Sequence, residues 1–194
     1  MKKLLAILII LGLVAWWYFG YYSKRSNGAS TAEADLPPIR VTDASLSKAG
    51  RELLADTKRR VEALRKEPGN TKLRFAKADY IAGSLKLLGD YRSAAEWYLA
   101  LIDWYEELSP ADRQVPEYRD PDGIPFAAAH SASMCFFFSG ENEKGYETME
   151  TYLRRYPNDP NRSLMLTLYK WAKQDLGDYL KSVSAMRAPR RYLK

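Results

Sequence analysis

Apolar and polar positions divide this chain into two regimes. The first is one unbroken apolar run, LLAILIILGLVAWWYFGYY, from Leu4 to Tyr22, without a charged residue. As a helix rising about 1.5 Å per residue it would reach about 28 Å, close to the roughly 30 Å of a bilayer hydrocarbon core. Its second end is crowded with Trp16, Trp17, Tyr18, Phe19, Tyr21 and Tyr22, the rings expected at a headgroup interface. The run predicts a single transmembrane helix. A cleaved secretory signal is the competing reading, but the run is longer than a signal's apolar region. It also ends in bulky aromatics, and Lys24 and Arg25 stand before the first small residues, Gly28-Ala29-Ser30. An uncleaved signal-anchor is the expectation.

The second regime is helical in period. Residues 23–42 are small, polar and interrupted by Pro37-Pro38, a composition that predicts a flexible linker. Asp43 or Ser45 then opens a helix whose apolar positions Leu46, Ala49, Leu53, Leu54, Val61 and Leu64 recur at helical spacing until Pro68-Gly69. Its outer face carries Lys58, Arg59, Arg60, Arg65 and Lys66, either a solvated face or one turned to lipid headgroups. Two helix pairs come next: 71–88 with 92–108, turning at Gly89-Asp90-Tyr91, and Pro125–Ser139 with Glu143–Tyr156, turning at Gly140-Glu141-Asn142. Each turn has a glycine where a helix C-terminus favours a left-handed residue, and Pro110 and Pro157 close the second helices. No segment alternates like a strand, so the domain reads as all-α.

These pairs resemble the tetratricopeptide repeat, in which a small residue in the first helix, a Gly-x-aromatic turn, a small residue early in the second helix, an aromatic and a proline recur. Ala82, Leu85, Gly89, Tyr91, Ala94 and Tyr98 take those places in the first unit, with Pro110 about one turn late. Ser133, Phe136, Gly140 and Gly145 take them in the second, where Met149 replaces the aromatic and Pro157 falls at the usual distance. A third, partial unit over 161–186 has Gly177-Asp178-Tyr179 at its turn, Lys170 where a small residue is usual, and a second helix running toward Pro189. It reads as a terminal capping repeat. Gly89 and Gly140 are 51 residues apart rather than about 34, which places an insertion at about 107–124. The resemblance implies a short α-α superhelix over 45–186, with pairs 71–110 and 125–157, followed by a basic tail, 187–194.

The same resemblance selects a concave groove lined by first helices: Ala76, Asp79, Gly83 and Lys86, then Ala127, His130, Met134 and Phe137, then Leu164, Thr167 and Trp171. Of these Asp79, Lys86, His130, Met134, Phe137, Thr167 and Trp171 are the expected partner-binding residues, a mixture suited to a peptide or an amphipathic helix. The other reading of Met134, Phe137 and Trp171 is plain core. The helix carrying Trp97, Tyr98, Trp104 and Tyr105 is apolar over so wide an arc that it should be buried on more than one side.

Charge qualifies this picture. The chain of 194 residues has a net charge of +6, yet Lys2, Lys3, Lys24 and Arg25 flank the apolar run and Arg187, Arg190, Arg191 and Lys194 close the chain. Without those eight, 22 basic residues face 24 acidic ones. The body of the domain is no polyanion-binding surface, and nucleic acid is not an expected partner. The basic tail would dock on an acidic or lipid surface, or hang free. One cysteine, Cys135, and one histidine, His130, leave no intrachain disulfide and no zinc site built from those residues. Five residues apart on a helix, these two point about 140° away from each other and form no dyad. Asp120-Pro-Asp122-Gly123 begins like a calcium loop but lacks its later ligands, and reads as a turn.

The expectation is therefore a non-enzymatic scaffold or assembly factor, with no cofactor, metal or small-molecule substrate. It would be held at a membrane by residues 4–22 and bind other proteins, subunits of a membrane complex. Some anchored bacterial tetratricopeptide proteins assist the assembly of envelope or respiratory complexes, an implication of the resemblance. A constitutive accessory subunit of such a complex is the alternative. An envelope enzyme is disfavoured by the missing nucleophile, base and metal sets. The charges flanking the anchor nearly balance; the short N-terminal tail favours a bacterial inner membrane with the domain in the periplasm.

Overall fold

Every regular element among the described residues is a helix. The computed structural model describes residues 36–66, 72–107 and 124–194. The expected anchor, the linker up to residue 35, the Pro68-Gly69 stop and nearly all of the expected insertion lie outside them. Among the described residues no helix is long and apolar enough to cross a membrane. The helical domain is the unit Pro37–Lys194.

Helix α1 spans Lys48–Arg65. It is opened by neither Asp43 nor Ser45, which form a short 3-10 turn, but by Ser47, whose side chain accepts from Gly50 N at 3.1 Å. Serine in extended backbone satisfies an otherwise orphaned amide of the first turn. Leu54, Thr57, Val61 and Leu64 are buried on one face, the stripe required of a helix packed on one side.

Helices α2 (Lys72–Leu87) and α3 (Tyr91–Glu107) form the first pair, α4 (Ile124–Phe138) and α5 (Asn142–Arg155) the second. The turn glycines behave as the sequence predicts: Gly89 has φ +76° and Gly140 φ +81°. Each turn is closed twice. Asp90 N donates to Leu85 O and Gly89 N to Lys86 O; Glu141 N donates to Phe136 O and Gly140 N to Phe137 O. This is the paired closure of a helix ending in a left-handed residue.

Helix α3 lies between α2 and α4 and buries Ala94, Trp97, Tyr98, Leu101 and Tyr105, which accounts for its wide apolar arc. Helix α4 packs on α3, α5 and the next helix. Ala132 through Phe137 are buried without interruption, as befits a helix enclosed all round.

The third pair departs from expectation. Helix α6 is Arg162–Gln174 and α7 only Leu176–Ser182. Gly177 lies inside α7 rather than in the turn. The turn is made by Asp175, extended at φ −150°, whose carboxylate accepts from Asp178 N at 2.8 Å. The second helix does not continue to Pro189; it gives way to the 3-10 turns Ser184–Met186 and Arg190–Tyr192.

Two segments expected to be loose are built into the fold. At the end of the expected linker, Arg40 N and Val41 N donate to Asp90 Oδ2 at 2.7 and 2.9 Å. The Arg40 guanidinium forks onto Glu96 at 2.7 and 3.0 Å. The expected basic tail is a strap across one end of the helices. Arg187 stacks on Phe138, Ala188 N donates to Tyr91 Oη at 2.8 Å, and Leu193 reaches Gly89. Leu193 then forms an isolated antiparallel bridge with Leu46. Ile39, Val41, Tyr192 and Leu193 pack together on Leu46, Leu54 and Leu88, so the two ends of the domain seal one satellite core. Tail and linker carry apolar residues at Ile39, Val41, Tyr192 and Leu193, and those decide their fate against a polar average.

Candidate functional site

On the face predicted as a groove, the residues separate into two groups. Met134 and Phe137 are buried, 0% and 3% exposed; as partner-binding residues they are corrected to core. Phe137 fills the space over Gly145 and meets Tyr146 and Tyr179 edge-on, with ring centroids 5.1 and 5.9 Å away. Only a residue without Cβ permits this approach, since a Cβ at 145 would stand 2.5 Å from the ring. Ser133 Oγ also donates to Gly145 O at 3.0 Å, so the small residues of the second unit are where α4 and α5 press closest.

The residue that covers this face is Tyr179 on α7. It is fully buried; its hydroxyl meets His130 Nε2 at 3.0 Å, and its ring lies edge-on to Trp171 at 5.7 Å. The sequence presented Tyr179 only as a turn aromatic. Its place in the Gly-x-aromatic pattern was the available signal, but nothing local shows that α7 would fold back over α4.

His130 is half-buried, stacked at 5.8 Å and 6° on Phe126. Burial, and next the Lys86 ammonium, hold its pKa below the usual histidine value, so it is neutral at pH 7. Burial pushes the Cys135 thiol up to about 12, with Lys86 opposing. A neutral, buried thiol is a poor nucleophile. Lys86 also acts on the exposed Asp79. Asp79, Lys86 and His130, separated by up to 51 positions, therefore form one electrostatic neighbourhood spanning α2 and α4.

Leu164 and Trp171 are exposed, by 47% and 36%. The Trp171 indole N–H donates to Asp178 Oδ2 at 3.1 Å. Thr167 is exposed, and its hydroxyl turns back to Ser163 O. Of the expected partner-binding residues, Asp79, Lys86 and His130 on one side and Thr167 and Trp171 on the other are thus accessible, and of the wider groove set Ala76, Ala127 and Leu164 are exposed beside them.

A cleft of about 310 Å³ lies elsewhere, between α3, α4 and α5, lined by residues including Ile102, Phe136, Tyr152 and Tyr156. Arg155 pairs at its rim with Asp103 and Glu106, and Tyr156 donates to Glu106. Among the described residues no group of three His, Cys, Asp or Glu side chains is placed to hold a metal ion.

No protein-family model, curated protein or solved structure matches this chain.

Proposed function

We propose that this protein is a membrane-anchored scaffold or assembly factor that holds a segment of another membrane-complex protein against the face formed by α2, α4 and α6. The anchor is residues 4–22, and a bacterial inner membrane with the helical domain in the periplasm is the setting. The single observation that carries the reading is the exposure of Leu164 and Trp171 together, seven positions apart on α6; the other exposed large apolar side chains among the described residues, Tyr80 and Met186, stand on separate elements, α2 and the 3-10 turn Ser184–Met186. Exposed aromatic and aliphatic anchors beside isolated polar groups suit an amphipathic helix.

Helix pairs stacked in chain order, with the left-handed glycines in their first two turns, support the tetratricopeptide-like reading of the fold. Met134 and Phe137, being core, narrow the surface to Asp79, Lys86, His130, Leu164, Thr167 and Trp171.

The test is photo-crosslinking in intact membranes from residues 164 and 171, with exposed Glu147 on α5 as the control position. One discrete adduct from 164 and 171, absent from 147 and lost in Leu164→Ser/Trp171→Ser at unchanged thermal stability, is expected. Equal or absent adducts at all three positions would sink the reading. A topology reporter giving a cytoplasmic signal would overturn the periplasmic placement alone.

A further inference from the structure

The exposed cations of this domain fall into those with acids beside them and those without. Along α1, Arg59 and Arg60 pair with Asp56 at 3.1 and 2.7 Å, Arg65 pairs with Glu62 at 2.8 Å, and the Arg60 guanidinium lies 3.9 Å over the Tyr80 ring. Three of the five cations of that stretch, Arg59, Arg60 and Arg65, are thus held by its own acids Asp56 and Glu62. At the turn end of the two helix pairs, Arg40, Arg92 and Lys144 are matched by Glu96 and Glu141.

The corner where the strap meets α1 differs. Ser47 N donates to Tyr192 O at 3.1 Å, the Ser47 hydroxyl to Arg191 O at 2.6 Å, and Lys194 N to Ser45 O at 3.2 Å. These bonds fix Arg190, Arg191 and Lys194 beside Lys48, and all four side chains are exposed. Against them the corner sets the exposed acids Asp43 and Glu52, while the Arg51 guanidinium is turned onto Leu46 O at 2.9 Å. Residues 144 positions apart thus make one cationic surface that neither stretch makes alone. The same corner receives the segment through which the chain arrives, Ile39 and Val41 packing beside Tyr192 and Leu193.

We infer that this corner is a docking surface for anionic phospholipid headgroups. The inference rests on residues 4–22 being the anchor. With residues 4–22 as the anchor, residues 23–36 lead the chain into the domain at this corner, so its cations stand where the tether enters. Lysine and arginine close to an anionic surface are attracted within about a Debye length, roughly 8–10 Å. Their backbone is already fixed by the strap, so docking orders little beyond the side chains themselves. An acidic segment of a soluble protein would suit the charge but not the position at the tether's root.

The experiment uses the full chain reconstituted into neutral phosphatidylcholine vesicles and into vesicles with about one third phosphatidylserine. An acceptor lipid is included, and a donor dye is placed at exposed Ser184 as Ser184→Cys; native Cys135 is buried. Energy transfer should be higher in the anionic vesicles and fall to the neutral value at high salt. Arg190→Gln/Arg191→Gln/Lys194→Gln keeps the backbone bonds and should lower the docked-to-free ratio by about fivefold per charge removed.

Equal transfer in both vesicles at low salt, with the protein retained, overturns the inference and leaves an acidic protein as the partner of the corner. Extraction from neutral vesicles by alkaline carbonate would reject the anchor instead. The inference then stands only if the detached chain sediments with anionic vesicles and the triple variant does not.

Discussion

Gly50 lies directly beneath the backbone carbonyl of Tyr192: a Cβ at residue 50 would stand 2.2 Å from Tyr192 O. An obstacle that is backbone, held by Ser47 N at 3.1 Å, cannot rotate away as a side chain can. In an exposed helix interior, glycine to alanine stabilises by about 1 kcal/mol. Here the sign should reverse, with Gly50→Ala costing about 1–3 kcal/mol as the strap is displaced. Thermal unfolding checks the sign, and hydrogen exchange should show residues 190–194 losing protection. A rise in Tm would mean that the strap does not bear on α1.

Asp90 joins the arriving chain to the first helix turn. Its carboxylate accepts from Arg40 N, Val41 N and, at 3.3 Å, Ser93 N, capping α3 while it holds residues 40 and 41. Asp90→Ala should cost at least the 0.5–2 kcal/mol of a lost cap, more for the two further amides left without an acceptor. It should also open residues 37–41 to protease at unchanged helix content. Asp90→Asn keeps one acceptor oxygen and should lie between the two.

Phe137 and Trp171 should respond differently. Phe137→Ala empties a filled site and should cost about 3–5 kcal/mol, and Gly145→Ala about 1–3 kcal/mol from the other side of the same contact. Trp171→Ser removes a half-exposed ring and should cost well under Phe137→Ala. Denaturant midpoints measure the order. A Trp171 cost equal to that of Phe137 would make Trp171 core and remove it from the binding face.

The His130 imidazole gives stability a pH dependence of predictable sign. Its folded pKa is lowered from 6.5 by burial and then by Lys86. Between the unfolded and folded pKa values the unfolded chain binds more protons, so stability rises with pH. The contribution is complete above about pH 6.5 and is lost as pH falls through that value toward the folded pKa. His130→Gln should remove this slope from a plot of unfolding free energy against pH between 7 and 5. An unchanged slope would assign it to other groups.

Local signals in the sequence were enough for the helices and turns of the first two pairs, though not for the third, where Asp175 and not Gly177 makes the turn. Gly89 and Gly140, each followed by a polar residue and a new helix start, allow only a left-handed helix end, and the boundaries they set agree with those observed to about one residue. Net charge, single cysteine and single histidine likewise belong to the sequence alone, as does the apolar run that predicts the anchor. The tertiary structure decided what meets what. Repeat phase puts Met134, Phe137 and Trp171 on one face, yet Tyr179 folding back over α4 leaves only Trp171 accessible. Average polarity describes the linker and tail as loose, yet four apolar side chains, Ile39, Val41, Tyr192 and Leu193, seal them onto Leu46, Leu54 and Leu88. Periodicity and turn chemistry act within a few residues, whereas burial depends on partners more than a hundred positions away. That is why the elements could be read from the chain, and the accessible surface only from the fold.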